Sequence, residues 1–227
     1  PDYAELFARA FAWRGGDRVS FDNIVKALAS FTRTLISFNA PFDRYAYHGD
    51  DAALTESQVR GMNLFMSERL ECAHCHAGFN FSQFVTHENA TPAERPFHVT
   101  GLYPQGQAYV QGADYGLFAV TSAEADKDRF KAPTLRNIER TAPYMHDGSL
   151  ATLGEVLDFY AAGGRVVTDG PRSGDGRSHP GKSPFIIGFT LTADERQDLL
   201  NFLASLTDEQ FLTDARYSDP ATPGTGH

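Results

Sequence analysis

Apolar residues recur at three- and four-residue intervals between Phe21 and Ser37, at Ile24, Val25, Leu28, Phe31, Leu35 and Ile36. That is the repeat of one helical face, so the stretch reads as an amphipathic helix with Ser20 as its N-cap and Pro41 ending the region. Three threonine-led segments then carry the capping-box signature: Thr55 to Gln58, Thr152 to Glu155 and Thr192 to Glu195. In each, the threonine oxygen accepts a free backbone N–H while the Glu or Gln reaches back to the cap. The first starts a short helix through Leu64 and Phe65. The second places Leu153, Val156, Leu157 and Tyr160 on one face and stops at Gly163-Gly164. The third carries Leu199, Leu200, Leu203 and Leu206.

Elsewhere the periodicity fades. Asn80 to Asp128 is rich in Gly, Pro, Asn and Gln, and Thr168 to Ser183 in Gly, Ser and Arg, so both read as long loops. The tail after Asp219 reads as frayed. The fold class is therefore mainly α, with long irregular loops. At 227 residues and 41% hydrophobic content the chain has enough material for a sizeable core. A formal net charge of -9 argues against nucleic acid, which needs a basic face. The 18 Phe suit a core built round a large flat cofactor, although ordinary packing accounts for them too.

Such a cofactor is suggested by Cys72-Ala73-His74-Cys75-His76, the C-x-x-C-H attachment signature of c-type haem. Each thiol adds across one porphyrin vinyl group, and the adjoining His76 then lies where its imidazole can bind iron. These are the only 2 cysteines, so none is left for a disulfide. A zinc site is the alternative, but it needs a second ligand pair nearby. His87 stands alone, and His74 lies between the cysteines, poorly placed to share their metal. Because covalent haem attachment takes place outside the cytoplasm, the expected location is the periplasm. Pro1 opens directly into Asp2-Tyr3-Ala4-Glu5, with no visible leader and no transmembrane segment.

The residues alone leave the sixth iron ligand open among Met145, His146, Tyr160, Met62 and Met66, with Met145 favoured. An inward tyrosine is ordinarily a core residue whose hydroxyl finds a partner.

Lys131-Ala132-Pro133-Thr134-Leu135-Arg136-Asn137, followed by Thr141-Ala142-Pro143-Tyr144-Met145-His146-Asp147-Gly148, resembles the C-terminal haem domain of the bacterial dihaem cytochrome c peroxidase and MauG family. The likeness extends through Phe21-Asp22-Asn23, Ala40 to Tyr45 and the haem motif, and so covers most of the chain. It implies a cytochrome c-like haem domain. In the peroxidases a methionine 14 residues after the histidine that matches His146 binds the electron-transfer haem; here that position is Tyr160, as in MauG-like enzymes. Cys75 to Ser82 and Ala161 to Arg165 most resemble the methanobactin-associated branch, MbnH. The resemblance implies that two haems share two oxidising equivalents from hydrogen peroxide as a bis-Fe(IV) state, with Tyr160 ligating one of them. A phenolate favours the higher oxidation states, and axial ligands span about 0.8 V across haem proteins. The implied target is a residue of an exported partner protein, with tryptophan the expected one.

Other roles follow from the same resemblance. Thr141 and Pro143 match positions whose backbone carbonyls bind calcium, for which an ordinary loop is the alternative. His146 matches a histidine near the haem edge that is not an iron ligand. Arg136 is read as a partner of a haem propionate or as a stitch between loops. A second C-x-x-C-H, a distal acid and a bridging tryptophan are not in this sequence, whose only tryptophan is Trp13. The expected organisation is a helical segment at 1–50 joined to a further haem domain, a haem domain at 51–219, and a tail at 220–227. The chain taken alone is then expected to be inactive. The relay half of a conventional peroxidase, fed by a redox donor, and a monohaem electron carrier are the competing readings.

Overall fold

A computed structural model of the chain describes residues 3–12, 15–85, 97–105 and 112–219. Its helices are α1 (Tyr3–Ala10), α2 (Phe21–Thr34), α3 (Pro41–Tyr47), α4 (Glu56–Phe65), α5 (Phe118–Thr121), α6 (Leu153–Ala161), α7 (Ala193–Ala204) and α8 (Glu209–Leu212). Two antiparallel strand pairs are present, β1 (Phe97–His98) with β2 (Phe130–Lys131) and β3 (Val166–Val167) with β4 (Gly174–Asp175). The fold is mainly α, as expected. Among the described residues no helix is long and apolar enough to cross a membrane.

The chain forms two compact units, one from the segments up to Asn39 and from Asp208 onward, the other from Ala40 to Thr207. The expected join near residue 50 therefore falls inside the second unit, which includes α3. In the first unit, Ser20 caps α2 by accepting from the Asn23 N–H at 3.3 Å. The helix stops at Thr34, short of Ser37, where the hydroxyls of Thr32 and Thr34 turn back onto the Ala29 and Phe31 carbonyls. Tyr217 covers that end, donating to the Thr34 carbonyl at 2.5 Å and meeting Phe31 edge-on. Much of the apolar face read from the sequence remains open: Phe21 is 82% exposed and Leu28 61%.

The second unit is built on the pair α4 and α7. All three expected capping boxes form, at Thr55, Thr152 and Thr192. Gly61 is where α4 and α7 touch; a Cβ there would lie 2.0 Å from the Asp198 carbonyl oxygen. Beside it Arg60 grips Asp198 at 2.7 Å and the Ser57 hydroxyl donates to the same carboxylate at 2.5 Å. Phe42, Phe65 and Phe202 each meet Phe81 edge to face at the centre, packed with Leu157, Leu199, Leu203 and Leu206. A smaller cluster gathers Leu102, Tyr144, Leu150 and Phe159, and Ile138 and Leu153 pack against both. The Thr168–Ser183 segment, read as loop, includes strand β4 and a helical turn at Gly176–Ser178. A two-residue ladder is too short to leave an alternating pattern in the sequence.

Candidate haem centre

The C-x-x-C-H motif follows α4 across one sharp reversal. Glu71 takes a left-handed conformation (φ 59°), Cys72–His74 form a 3₁₀ turn, and the His76 N–H closes onto the Cys72 carbonyl at 3.0 Å. Both cysteines are free and half-buried. Burial pushes their thiols up, Cys72 to about 12 and Cys75 to about 11, so both remain S–H in the protein alone.

His76 has its ring oriented by two main-chain carbonyls. Its Nδ1 lies 3.1 Å from the carbonyl oxygen of Phe81 and 3.1 Å from that of Pro133. Both partners are acceptors, so Nδ1 carries the hydrogen and Nε2 keeps its lone pair for a metal. Burial lowers the His76 pKa and favours this neutral form. Phe81 is wholly buried at φ 47°, a conformation unfavourable for a bulky residue. The Phe81 N–H donates to the Gly78 carbonyl and its own carbonyl meets His76, so core packing offsets strain placed beside that imidazole.

Tyr160 comes from the last turn of α6. The helix ends with Gly163 at φ 70° and the Gly164 N–H on the Phe159 carbonyl, which satisfies the terminal carbonyls. Tyr160 packs against the Leu102–Phe159 cluster. Burial, with Cys75 and Cys72 nearby, pushes its phenol far up. Its hydroxyl has no hydrogen-bond partner among the described residues, whereas the Tyr144 hydroxyl donates to the Ile138 carbonyl at 3.0 Å. An unpartnered hydroxyl beside two half-buried thiols and an oriented imidazole fits a covalently tethered haem: two sulfurs, one neutral nitrogen and one oxygen.

The remaining predicted residues have different surroundings. Arg136 makes a buried two-pronged pair with Asp43 at 2.8 and 2.9 Å and also donates to the Phe79 carbonyl. Two of its nitrogens are thus engaged by α3. His146 stacks on Phe130 with centroids 3.9 Å apart, and burial lowers its pKa against the pull of Asp147. Met145 packs in the same cluster as Tyr160, and Met62 packs on the larger core. Met66 caps α4 and is exposed. Thr141 and Pro143 lie on an exposed loop. His74 pairs with Glu71 and rests on Phe185; with Glu68 these make the one cluster of three metal-ligand side chains found among the described residues, and it excludes both thiols. His87 and Trp13 lie outside the described residues.

Sequence reading missed His98, whose Nε2 lies 3.6 Å from the Cys75 sulfur. It belongs to a region without periodicity, and no spacing relates it to the motif.

The family model described as di-haem cytochrome c peroxidase matches residues 1–52. The cytochrome-c peroxidase IdrP1 of Pseudomonas sp. (strain SCT) is 35% identical, covering 99% of this chain and 58% of its own length. The methylamine utilization protein MauG of Methylorubrum extorquens is 35% identical over 92% of this chain and 50% of its own. A crystal structure of a MauG-like protein associated with microbial copper homeostasis is 45% identical, covers 89% of this chain and 62% of its own, and superposes with a TM-score of 0.82. The chain belongs to the dihaem cytochrome c peroxidase and MauG family. Members of the dihaem family are oxidoreductases, and haem c is the cofactor this membership supports. This family member spans about half the length of the curated relatives it matches. Its fold is the cytochrome c-like one expected from the resemblance.

Proposed function

We propose that this chain is the tyrosine-ligated haem portion of a MauG-like dihaem oxidase that uses hydrogen peroxide to oxidise a partner protein at long range. Cys72 and Cys75 would tether the porphyrin, His76 would offer Nε2 to its iron, and Tyr160 would offer its phenol oxygen as a second protein ligand. The bound haem, paired with a second one, supplies peroxide-driven oxidation held in high-valent form. The chain's own part is to orient, exclude water and manage one proton. The Phe81 and Pro133 carbonyls orient His76. Ile138 and Leu153 bridge the two apolar clusters. To hold ferric iron, Tyr160 would give its proton to water and offer the phenolate oxygen, against the burial that favours the phenol in the protein alone.

The observation that carries this reading is the Tyr160 hydroxyl, unpartnered among the described residues and near both thiols. A methionine there would make an electron relay; an anionic oxygen favours the higher oxidation states. The open apolar face of α2 and the length of the relatives support a further haem domain as partner. We place the complete protein in the periplasm, and the Thr141 and Pro143 carbonyls are the groups that would hold a calcium ion. A partner tryptophan in an exported copper-handling protein is the favoured target, because the structural relative is described as associated with copper homeostasis.

The test is peroxide treatment of the full-length protein with candidate partners, comparing wild type with Tyr160→Met. A long-lived near-infrared band and partner oxidation in wild type, both lost in the variant, are expected. Fast peroxide turnover with a small redox donor and no partner modification would assign it instead to the peroxidases, as the IdrP1 relative is named.

A further inference from the structure

His98 occupies a fixed position beside the haem-attachment turn. It is the second residue of β1 and pairs with Phe130 across the ladder. Successive strand residues face opposite sides. Phe97 accordingly meets Phe84 with centroids 5.0 Å apart, while the His98 imidazole reaches the Cys75 sulfur at 3.6 Å. Arg129 braces the ladder, donating to the Phe97 carbonyl at 3.1 Å and to the Ala125 carbonyl at 2.8 Å.

The chemistry of attachment decides which partner donates. A free Cys75 thiol can donate or accept. Once its sulfur is bonded to the porphyrin side chain it has no hydrogen, and only lone pairs remain. The contact then persists only with hydrogen on Nε2 of His98, which leaves Nδ1 unprotonated in the neutral ring. Burial and the neighbouring Arg129 cation both favour that neutral ring.

We propose that His98 is a positioning residue that tunes the haem by donating its Nε2–H to the Cys75 thioether sulfur. The inference rests on the reading of Cys75 as a haem attachment point. An N–H directed at this sulfur draws electron density from the haem periphery and puts the positive end of a dipole at its edge. Both effects favour the reduced iron and raise the potential, as hydrogen bonds around other redox cofactors do. The effect opposes that of a phenolate at position 160, so His98 limits how far the potential falls.

The experiment is spectroelectrochemical titration of the haem-bearing protein as wild type, His98→Phe and His98→Gln. Glutamine keeps an N–H close to the position of Nε2; phenylalanine keeps the ring shape without a donor. We expect His98→Phe to shift the midpoint to lower potential, a several-fold change in the Fe(III)/Fe(II) ratio at fixed applied potential, and His98→Gln to stay near wild type. Unchanged potentials in both variants overturn the proposal, and so does an equal shift in both, which would assign the effect to packing. On wild type alone, the resonance Raman C–S stretch is expected to shift between H₂O and D₂O; no shift counts equally against His98. Loss of the haem from denatured wild-type protein instead refutes the attachment reading itself, a separate outcome seen by mass.

Discussion

At the scale of single residues, the centre depends on side chains whose partners leave one atom free. His76 is held at Nδ1 by two carbonyls and is open at Nε2. Tyr160 is packed along its ring and, among the described residues, unpartnered at its oxygen. Arg136 differs, because its charge is matched by Asp43 in a buried pair whose side chains are 7% and 0% exposed. Removing one partner of such a pair strands the other charge away from water, a loss of about 3–5 kcal/mol. Arg136→Leu is therefore expected to lower stability by about that amount in chemical denaturation, and Asp43→Leu likewise. A double variant should recover part of the loss, since no unpaired charge remains. Equal additive losses would show that the pair contributes no mutual term.

At the scale of elements, α4 carries the chain to the haem motif and α7 holds α4 in place. Their contact needs Gly61, because a larger residue meets the Asp198 backbone. It is reinforced by the Asp198 carboxylate, whose pKa Arg60 and Ser57 hold below the usual value through hydrogen bonds. The sign follows from the depression. The contribution is present above the unfolded carboxylate value of about 3.9 and is lost as pH falls through the folded one. Melting temperatures of wild type are therefore expected to fall more steeply below about pH 4 than those of Asp198→Asn, with the two curves converging in acid. Parallel curves would mean that Asp198 titrates alike in both states.

At the scale of the whole molecule, the first unit displays apolar residues that the proposed haem domain would cover. Phe21, Leu28 and Ile36 are 82%, 61% and 71% exposed on or just beyond α2. Substitutions at exposed sites ordinarily change stability by about 0.5 kcal/mol or less. Phe21→Glu with Leu28→Glu should thus leave the melting temperature of this chain almost unchanged. In full-length protein the same pair of changes should lower it clearly, because two carboxylates would be buried against the proposed haem domain. Equal effects in both would remove the support that this face lends to such a partner.

Much of the architecture and chemistry was legible in the residues by themselves. Capping boxes are local, because donor and acceptor lie three residues apart, so Thr55, Thr152 and Thr192 announced their helices without tertiary help. The haem motif is equally local, since both thiols and the imidazole occupy one turn. Other features depended on distant segments meeting. The path of α2 was readable, but which of its apolar residues are covered within this unit was not. Nothing in the spacing of Arg136 and Asp43 indicates that they pair, because α3 and the loop after β2 meet only in the folded unit. The same holds for His98. A two-residue strand leaves no period, and only its ladder with Phe130 carries the imidazole to Cys75. Sequence alone determined the capped helices and the turn that gathers Cys72, Cys75 and His76, which are set by contacts within a few residues. Tertiary structure alone decided which charge Arg136 meets, which carbonyls orient His76 and which imidazole reaches the Cys75 sulfur. Those are set by the packing of segments far apart in the chain.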